Sequence, residues 1–305
     1  MATDRMKIVI TGASGFLGRH LVMRLKKSES YDVCALTSRP SELKAKIGGN
    51  NILYLHKNAI FEETVSKYLE SAIVVNCAYP RNSIGTDIAD GLKYIQKVFE
   101  AAADHQAAAI INISSQSVYS QQRTAAAAED TPVCLDNPYA VGKYAVELML
   151  ESICKRSITA YTSLRMASLI GPGFDQRIVN RFIKEALKTG KLTVARNRQR
   201  FGFFDVEDAV SGIEAMLGSD CGTWKSVYNL GRDGAVTLAE IAETIRDVLQ
   251  TENGHPVEIE EICNDDKTSS EICSSSFRSA FHPPECHTLK ETVRSIYRAA
   301  QSTSN

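Results

Sequence analysis

Short, unbroken apolar runs alternating with stretches of helical spacing constrain this chain more than any other feature. Lys7-Ile8-Val9-Ile10, Val33-Cys34-Ala35-Leu36, Ile52-Leu53-Tyr54-Leu55, Ile73-Val74-Val75, Ala109-Ile110-Ile111-Asn112-Ile113 and Thr159 to Leu164 read as strands. Continuous rather than alternating runs belong to strands covered on both faces. Leu17, Leu21, Val22 and Leu25 recur at helical spacing, and further helices are expected over 87–104 and from Tyr139 to Cys154. Strand–helix–strand order of this kind dictates an α/β fold: a doubly wound parallel sheet with right-handed crossovers.

Beyond residue 165 the pattern loosens. Gly171-Pro172-Gly173 marks a turn. Helices are expected from Ile178 to Lys188, Asp205 to Leu217 and Leu289 to Ala300, and strands from Leu192 to Val194 and Val227 to Leu230. Thr237, with Glu240 three residues on, is the pattern of a capping box and opens another helix. Residues 263–276, polar and serine-rich, read as a surface loop.

At 305 residues and 44% hydrophobic the chain can bury a large core. A net charge of -1 gives no electrostatic reason to propose nucleic acid or an anionic membrane as partner. No apolar run reaches the roughly 18 residues of a membrane span. The amino terminus enters the first strand with no basic segment and apolar core before it, so a cytoplasmic location is expected. The 8 cysteines are scattered with no Cys-x-x-Cys. Cys286-His287, with His282 nearby, has the wrong spacing for zinc, and no metal is expected.

The turn after the first strand carries the first chemical signal. Thr11-Gly12-Ala13-Ser14-Gly15-Phe16-Leu17-Gly18 follows a strand and opens a helix, the context in which a three-glycine turn cradles a pyrophosphate. Gly12 permits the tight turn, Gly15 lets backbone amides approach phosphate, and Gly18 lets the helix pack closely. An acidic residue some 20 positions on would bind the 2′-hydroxyl of NAD. This chain instead has Thr37-Ser38-Arg39, with no carboxylate to repel a 2′-phosphate and an arginine able to grip one. That favours NADP, with NAD as the alternative.

The second signal is Asn137-Pro138-Tyr139-Ala140-Val141-Gly142-Lys143, which places a phenol and an ammonium four residues apart on one helix face. A free phenol is a poor base at neutral pH, and a neighbouring ammonium favours its ionised form. The pair is therefore a candidate general acid/base, with the lysine also able to hold a nicotinamide ribose. Ser115, at the carboxyl end of the fifth strand, is aimed at the crevice where such sheets bind ligands. Ser115, Tyr139 and Lys143 form the candidate catalytic triad.

These residues resemble the extended short-chain dehydrogenase/reductase superfamily, the NAD-dependent epimerase/dehydratase family of sugar-nucleotide epimerases, dehydratases and 4-keto-sugar reductases. Thr-Gly-x-x-Gly-x-x-Gly stands at Thr11 to Gly18, Ser-Ser-x-x-Val-Tyr at Ser114 to Tyr119, and Tyr-x-x-x-Lys with a following Glu at Tyr139, Lys143 and Glu147. Leu164-Arg165 with Ile170 to Gly173, Asp205 to Ala209, and Tyr228 to Gly231 resemble three later segments of the family. The resemblance implies a Rossmann-type dinucleotide-binding domain over 1–165, with 203–230 returning to it. A smaller α/β substrate-binding lobe would take 166–202 and 231–305.

The cofactor would meet Gly12, Ser14, Gly15, Phe16, Leu17, Gly18, Ser38, Arg39, Asn58, Cys77, Ala78, Tyr79, Ser114 and Lys143. A nucleotide-activated sugar would meet Arg81, Gln116, Arg165, Arg177 and Arg200, with Arg181 and Arg198 as alternatives for its phosphates. The family also implies a homodimer.

Departures matter. Lys57-Asn58 stands where an adenine-binding Asp is common, Asp90-Gly91 falls near a family Asn, and Tyr79 replaces a small residue. Gln116-Ser117 stands where family dehydratases carry Asp-Glu. The expected activity is 4-keto-sugar reduction. NAD-dependent 4-epimerisation is the alternative, and a non-catalytic NADP sensor is a second one.

Overall fold

In the computed structural model, which describes residues 5–80, 86–263 and 265–303, the apolar runs assemble into one sheet. The first half of the chain runs β1 (Met6–Thr11), α1 (Phe16–Leu25), β2 (Tyr31–Thr37), α2 (Pro40–Ile47), β3 (Ile52–His56), α3 (Glu63–Leu69), β4 (Ile73–Asn76), α4 (Thr86–Asp104), β5 (Ala109–Ser115), α5 (Pro138–Cys154) and β6 (Ala160–Met166). The second half runs β7 (Ser168–Ile170), α6 (Ile178–Thr189), β8 (Lys191–Arg196), β9 (Phe203–Asp205), α7 (Val206–Leu217), β10 (Val227–Leu230), α8 (Leu238–Asn253), β11 (Glu258–Cys263), α9 (Ser275–Phe281) and α10 (Leu289–Thr303). The main sheet has the order β10-β6-β5-β4-β1-β2-β3.

Strands β3, β2, β1, β4 and β5 are parallel, with Ile8 opposite both Val33 and Ile73. Strand order reverses at β1, which has β2 on one side and β4 on the other. A crevice therefore opens beyond the carboxyl ends of β1 and β4, where the crossovers diverge. Ile8, Ile10, Val33, Leu36, Val74 and Ile110 are fully buried, as continuous apolar strands require. Near the carboxyl ends a polar chain crosses this core. The Thr11 hydroxyl donates to Asn76 Oδ1 (2.7 Å), Asn76 Nδ2 to Asn112 Oδ1 (3.0 Å), and Asn112 Nδ2 to Ser163 Oγ (3.2 Å). Each group is satisfied by the next strand, so the chain locks register where the apolar pattern alone would permit slippage.

Two compact units result. The first comprises Met1–Val118, Cys134–Arg165 and Ile213–Tyr228, and the second Tyr119–Val133, Met166–Gly212 and Asn229–Asn305. The second unit holds two small parallel pairs, β8 with β11 and β7 with β9. Its core joins Ile183, Leu192, Ile241, Ile245 and Val293. Helix α8 begins with the expected capping box: Thr237 Oγ1 accepts from the Glu240 amide (3.2 Å), and the Glu240 carboxylate accepts from the Thr237 amide (2.7 Å).

Residues 263–276 are not the surface loop expected. Ser269, Ile272 and Ser274 are buried, Ile272 bridges to Ala127, Ser269 bridges to Arg200, and α9 starts within the segment. The segment's backbone pairs inside the second unit instead of with solvent. At its centre Asn229, fully buried, accepts from the Tyr119 hydroxyl (2.8 Å) and donates to the carbonyls of Ala127 (2.9 Å) and Cys273 (3.2 Å). The ring of His287, part of the Cys/His cluster noted in the sequence, turns to Asp208 at 2.5 Å. No helix among the described residues is long and apolar enough to cross a membrane.

Asn229→Ala strands three partners at once, the buried Tyr119 hydroxyl and Ala127 carbonyl and the half-buried Cys273 carbonyl. It should lower unfolding free energy by about 3 kcal/mol, measured by urea denaturation.

Candidate functional site

The glycine turn is built as its spacing requires. Gly12 has φ +63°, and a Cβ there would lie 2.7 Å from the Ala78 amide nitrogen, so β1's turn and the end of β4 can approach only over a glycine. Gly15 caps α1 without a side chain over the first amides of that helix. Gly18 serves closeness too, though against the turn itself: its Cβ would lie 2.4 Å from the Gly12 carbonyl oxygen. The Ser14 hydroxyl accepts from Thr37 Oγ1 (2.7 Å), tying the turn to the end of β2.

Beside the turn lies a cleft of about 450 Å³. Of the residues expected to meet a cofactor, Gly12, Ser14, Gly15, Ser38, Cys77, Ala78 and Tyr79 line it. Phe16, Leu17, Gly18, Arg39 and Asn58 do not. Phe16 packs edge-on to His20, Leu17 is buried, and Lys57 takes the place expected of Asn58. Helix α4 closes the cleft with Asp87, Asp90, Gly91, Tyr94 and Ile95, one face at helical spacing. Of these only Asp90-Gly91 drew attention in the sequence; the i, i+3, i+4, i+7, i+8 series was the available signal. Arg81 lies outside the described residues. A glycine-built cradle, a helix amino terminus and a cleft of this size fit a dinucleotide.

Helix α5 delivers the phenol and ammonium. Asn137 Oδ1 accepts from the Ala140 amide (2.9 Å) and Pro138 occupies the first turn, so the helix starts just before Tyr139. One turn later Lys143, 6% exposed, donates from Nζ to the Ile113 carbonyl of β5 (2.7 Å). Its ammonium lies 5.9 Å from the Tyr139 ring centroid and 4.2 Å from that of Tyr79. Ser115, two residues beyond Ile113, ends β5 and accepts from the amide (3.2 Å) and hydroxyl (2.9 Å) of Ser117. Burial pushes the Cys77 thiol up to about 12 despite the opposing pull of Lys143, so it is no thiolate nucleophile at neutral pH.

Several sequence assignments change. Arg165 is not a free substrate-binding arginine. It is 5% exposed and holds the equally buried Glu147 through Nη2 (2.8 Å) and Nε (3.2 Å). Ser114 is buried with its hydroxyl donating to that same Glu147 carboxylate. Gln116 is also buried. In the second unit Arg200 donates to the Ala235 carbonyl (2.6 Å), and the Arg177 guanidinium lies over the Phe174 ring at 5.0 Å.

Comparison with known proteins places this geometry. The model of the NAD dependent epimerase/dehydratase family matches residues 8–231. A Bacillus subtilis protein described as an uncharacterized UDP-glucose epimerase, YtcB, is 26% identical over 262 residues, covering 80% of this chain and 82% of that one. UDP-glucuronic acid decarboxylase 6 of Arabidopsis thaliana is 25% identical over 263 residues, covering 81% and 75%. Among solved structures, UDP-glucuronic acid 4-epimerase from Bacillus cereus, in complex with UDP-glucuronic acid and NAD, has a TM-score of 0.79 at 21% identity, covering 98% of this chain and 100% of that one. UDP-N-acetylglucosamine 4-epimerase from Methanobrevibacter ruminantium has a TM-score of 0.80 at 22% identity, covering 99% and 100%.

The expectation of NADP is overturned. The similar structures whose bound dinucleotide is named carry NAD. The physical reason is local. Arg39 does not line the cleft, and its exposed guanidinium faces Glu42 at 3.5 Å, while Asp87 and Asp90 add negative charge to the cleft wall.

Arg165→Met should cost about 3–5 kcal/mol of stability by leaving the Glu147 carboxylate buried without its cation. Differential unfolding measurements check this; a stable variant with weakened sugar-nucleotide binding would restore the substrate role.

Proposed function

The chain belongs to the NAD dependent epimerase/dehydratase family, and on that premise we propose that it is an NAD-dependent 4-epimerase of a UDP-activated hexose or hexuronic acid. The observation that carries this reading is the Tyr139–Lys143 pair on α5, with the ammonium drawn to β5 two residues before Ser115. Bound NAD would take a hydride from the sugar C4 and give it back.

The protein's own part is proton handling and orientation. Ser115 Oγ holds the C4 oxygen, Tyr139 accepts its proton as the carbonyl forms, and returns that proton once the opposite face is reduced. Lys143 keeps positive charge beside the phenol and anchors the ribose. The 4-keto sugar must turn over between the two half-reactions.

Net reduction of a 4-keto sugar, favoured from the sequence, loses support with the NADP assignment on which it leaned. Dehydration and decarboxylation have less support, because Gln116-Ser117 supplies no carboxylate beside Ser115. The epimerases among similar solved structures support the same choice.

The test uses UDP-glucose and UDP-glucuronic acid deuterated at C4. The expected product is the C4 epimer with deuterium still at C4 and no added reductant consumed. Tyr139→Phe should slow turnover by at least about a hundredfold. Stoichiometric consumption of NADH, or equal turnover by Tyr139→Phe, would contradict the reading.

A further inference from the structure

Tyr79 follows β4 at a position where a small residue was expected. It is half-buried, and it touches three residues of α5. Its ring face lies 4.2 Å from the Lys143 ammonium. Its edge meets the Tyr139 ring at 5.2 Å between centroids and 83° between planes. Its hydroxyl donates to the Tyr139 carbonyl (3.4 Å). Burial, with the Tyr139 phenol beside it, pushes the Tyr79 phenol up to about 12, so it stays neutral and cannot replace Tyr139 as a base at neutral pH.

The third contact is a missing one. Gly142 lies inside α5, where glycine is the least favourable residue after proline. A Cβ at 142 would stand 2.2 Å from the Tyr79 hydroxyl oxygen, but 3.4 Å from the ring carbon bearing it. The helix accepts a poor helix former at the one place where the phenol needs room.

From this geometry we propose that Tyr79 is a positioning residue for Lys143: its ring holds the ammonium beside Tyr139, and Gly142 is the vacancy that admits the ring. A cation over an aromatic face is attracted by the ring's negative quadrupole, most strongly when shielded from water. Lys143 is so shielded, and its carbonyl partner Ile113 fixes it from the sheet side. Tyr79 fixes it from the other. The functional consequence, that cofactor ribose meets a preset ammonium, rests on the reading given above.

The test is a variant cycle with two readouts. One is the NMR shift of the Lys143 Hε protons, assigned by their loss in Lys143→Arg, which ring current displaces upfield in the protein without cofactor. The other is NADH affinity by fluorescence. Tyr79→Leu, which keeps bulk without a π face, should abolish the displacement and weaken NADH about tenfold. Tyr79→Phe should recover both. Gly142→Ala should resemble Tyr79→Leu, and adding Tyr79→Phe to Gly142→Ala should rescue it, because the clashing oxygen is gone.

An undisplaced Lys143 in the wild type, wild-type behaviour of Tyr79→Leu, or a double variant as impaired as Gly142→Ala would overturn the proposal. If the wild type failed to bind NADH, the functional reading would fall, and the Lys143 shift and its rescue would still decide the positioning role.

Discussion

A buried ammonium is the constraint on which the candidate site depends. Lys143 is withdrawn from water, and an unpartnered cation there would cost several kcal/mol. Its requirement is met from two directions, by the Ile113 carbonyl and by the face of Tyr79. Meeting it draws α5, the helix that carries Tyr139, against β5, the strand that ends in Ser115. One turn further along the same helix, Glu147 repeats the logic with opposite sign, its carboxylate held by Arg165 and the Ser114 hydroxyl. The helix is thus fastened to the sheet by one buried charge at each of two successive turns.

The polar chain from Thr11 to Ser163 completes the platform. It lies near the strand ends that carry the glycine turn and the serine, and it fixes the register of β1, β4, β5 and β6 relative to one another. A site whose parts come from the ends of several strands tolerates little sliding between them.

Much of this was legible in the sequence because it was local. The strands of the main sheet announced themselves as apolar runs, the glycine turn by its place between strand and helix, and Tyr139 and Lys143 by their four-residue interval. What escaped was decided by partners far away in the chain. Arg165 and Ser114 look available in the sequence, but the Glu147 carboxylate engages both. Strand β11 hid because Glu258, Glu260 and Glu261 suit an exposed strand paired by charge with Lys191 and Arg196. The buried part of 263–276 hid because its backbone pairs with Ala127 and Arg200, distant in sequence. Tyr79 was noticed as an exception, but its complement, Gly142, has meaning only once the two are seen in contact.

The central claim is that the triad acts on a sugar carbon through one retained dinucleotide. Rapid mixing of the NAD-loaded protein with a UDP-hexose, watched by reduced-nicotinamide fluorescence, tests it most directly. The account predicts a rise to a steady level, with no net formation of free NADH, in the wild type and no rise in Tyr139→Phe. No rise in the wild type with any UDP-sugar that binds, or an undiminished rise in Tyr139→Phe, would contradict it.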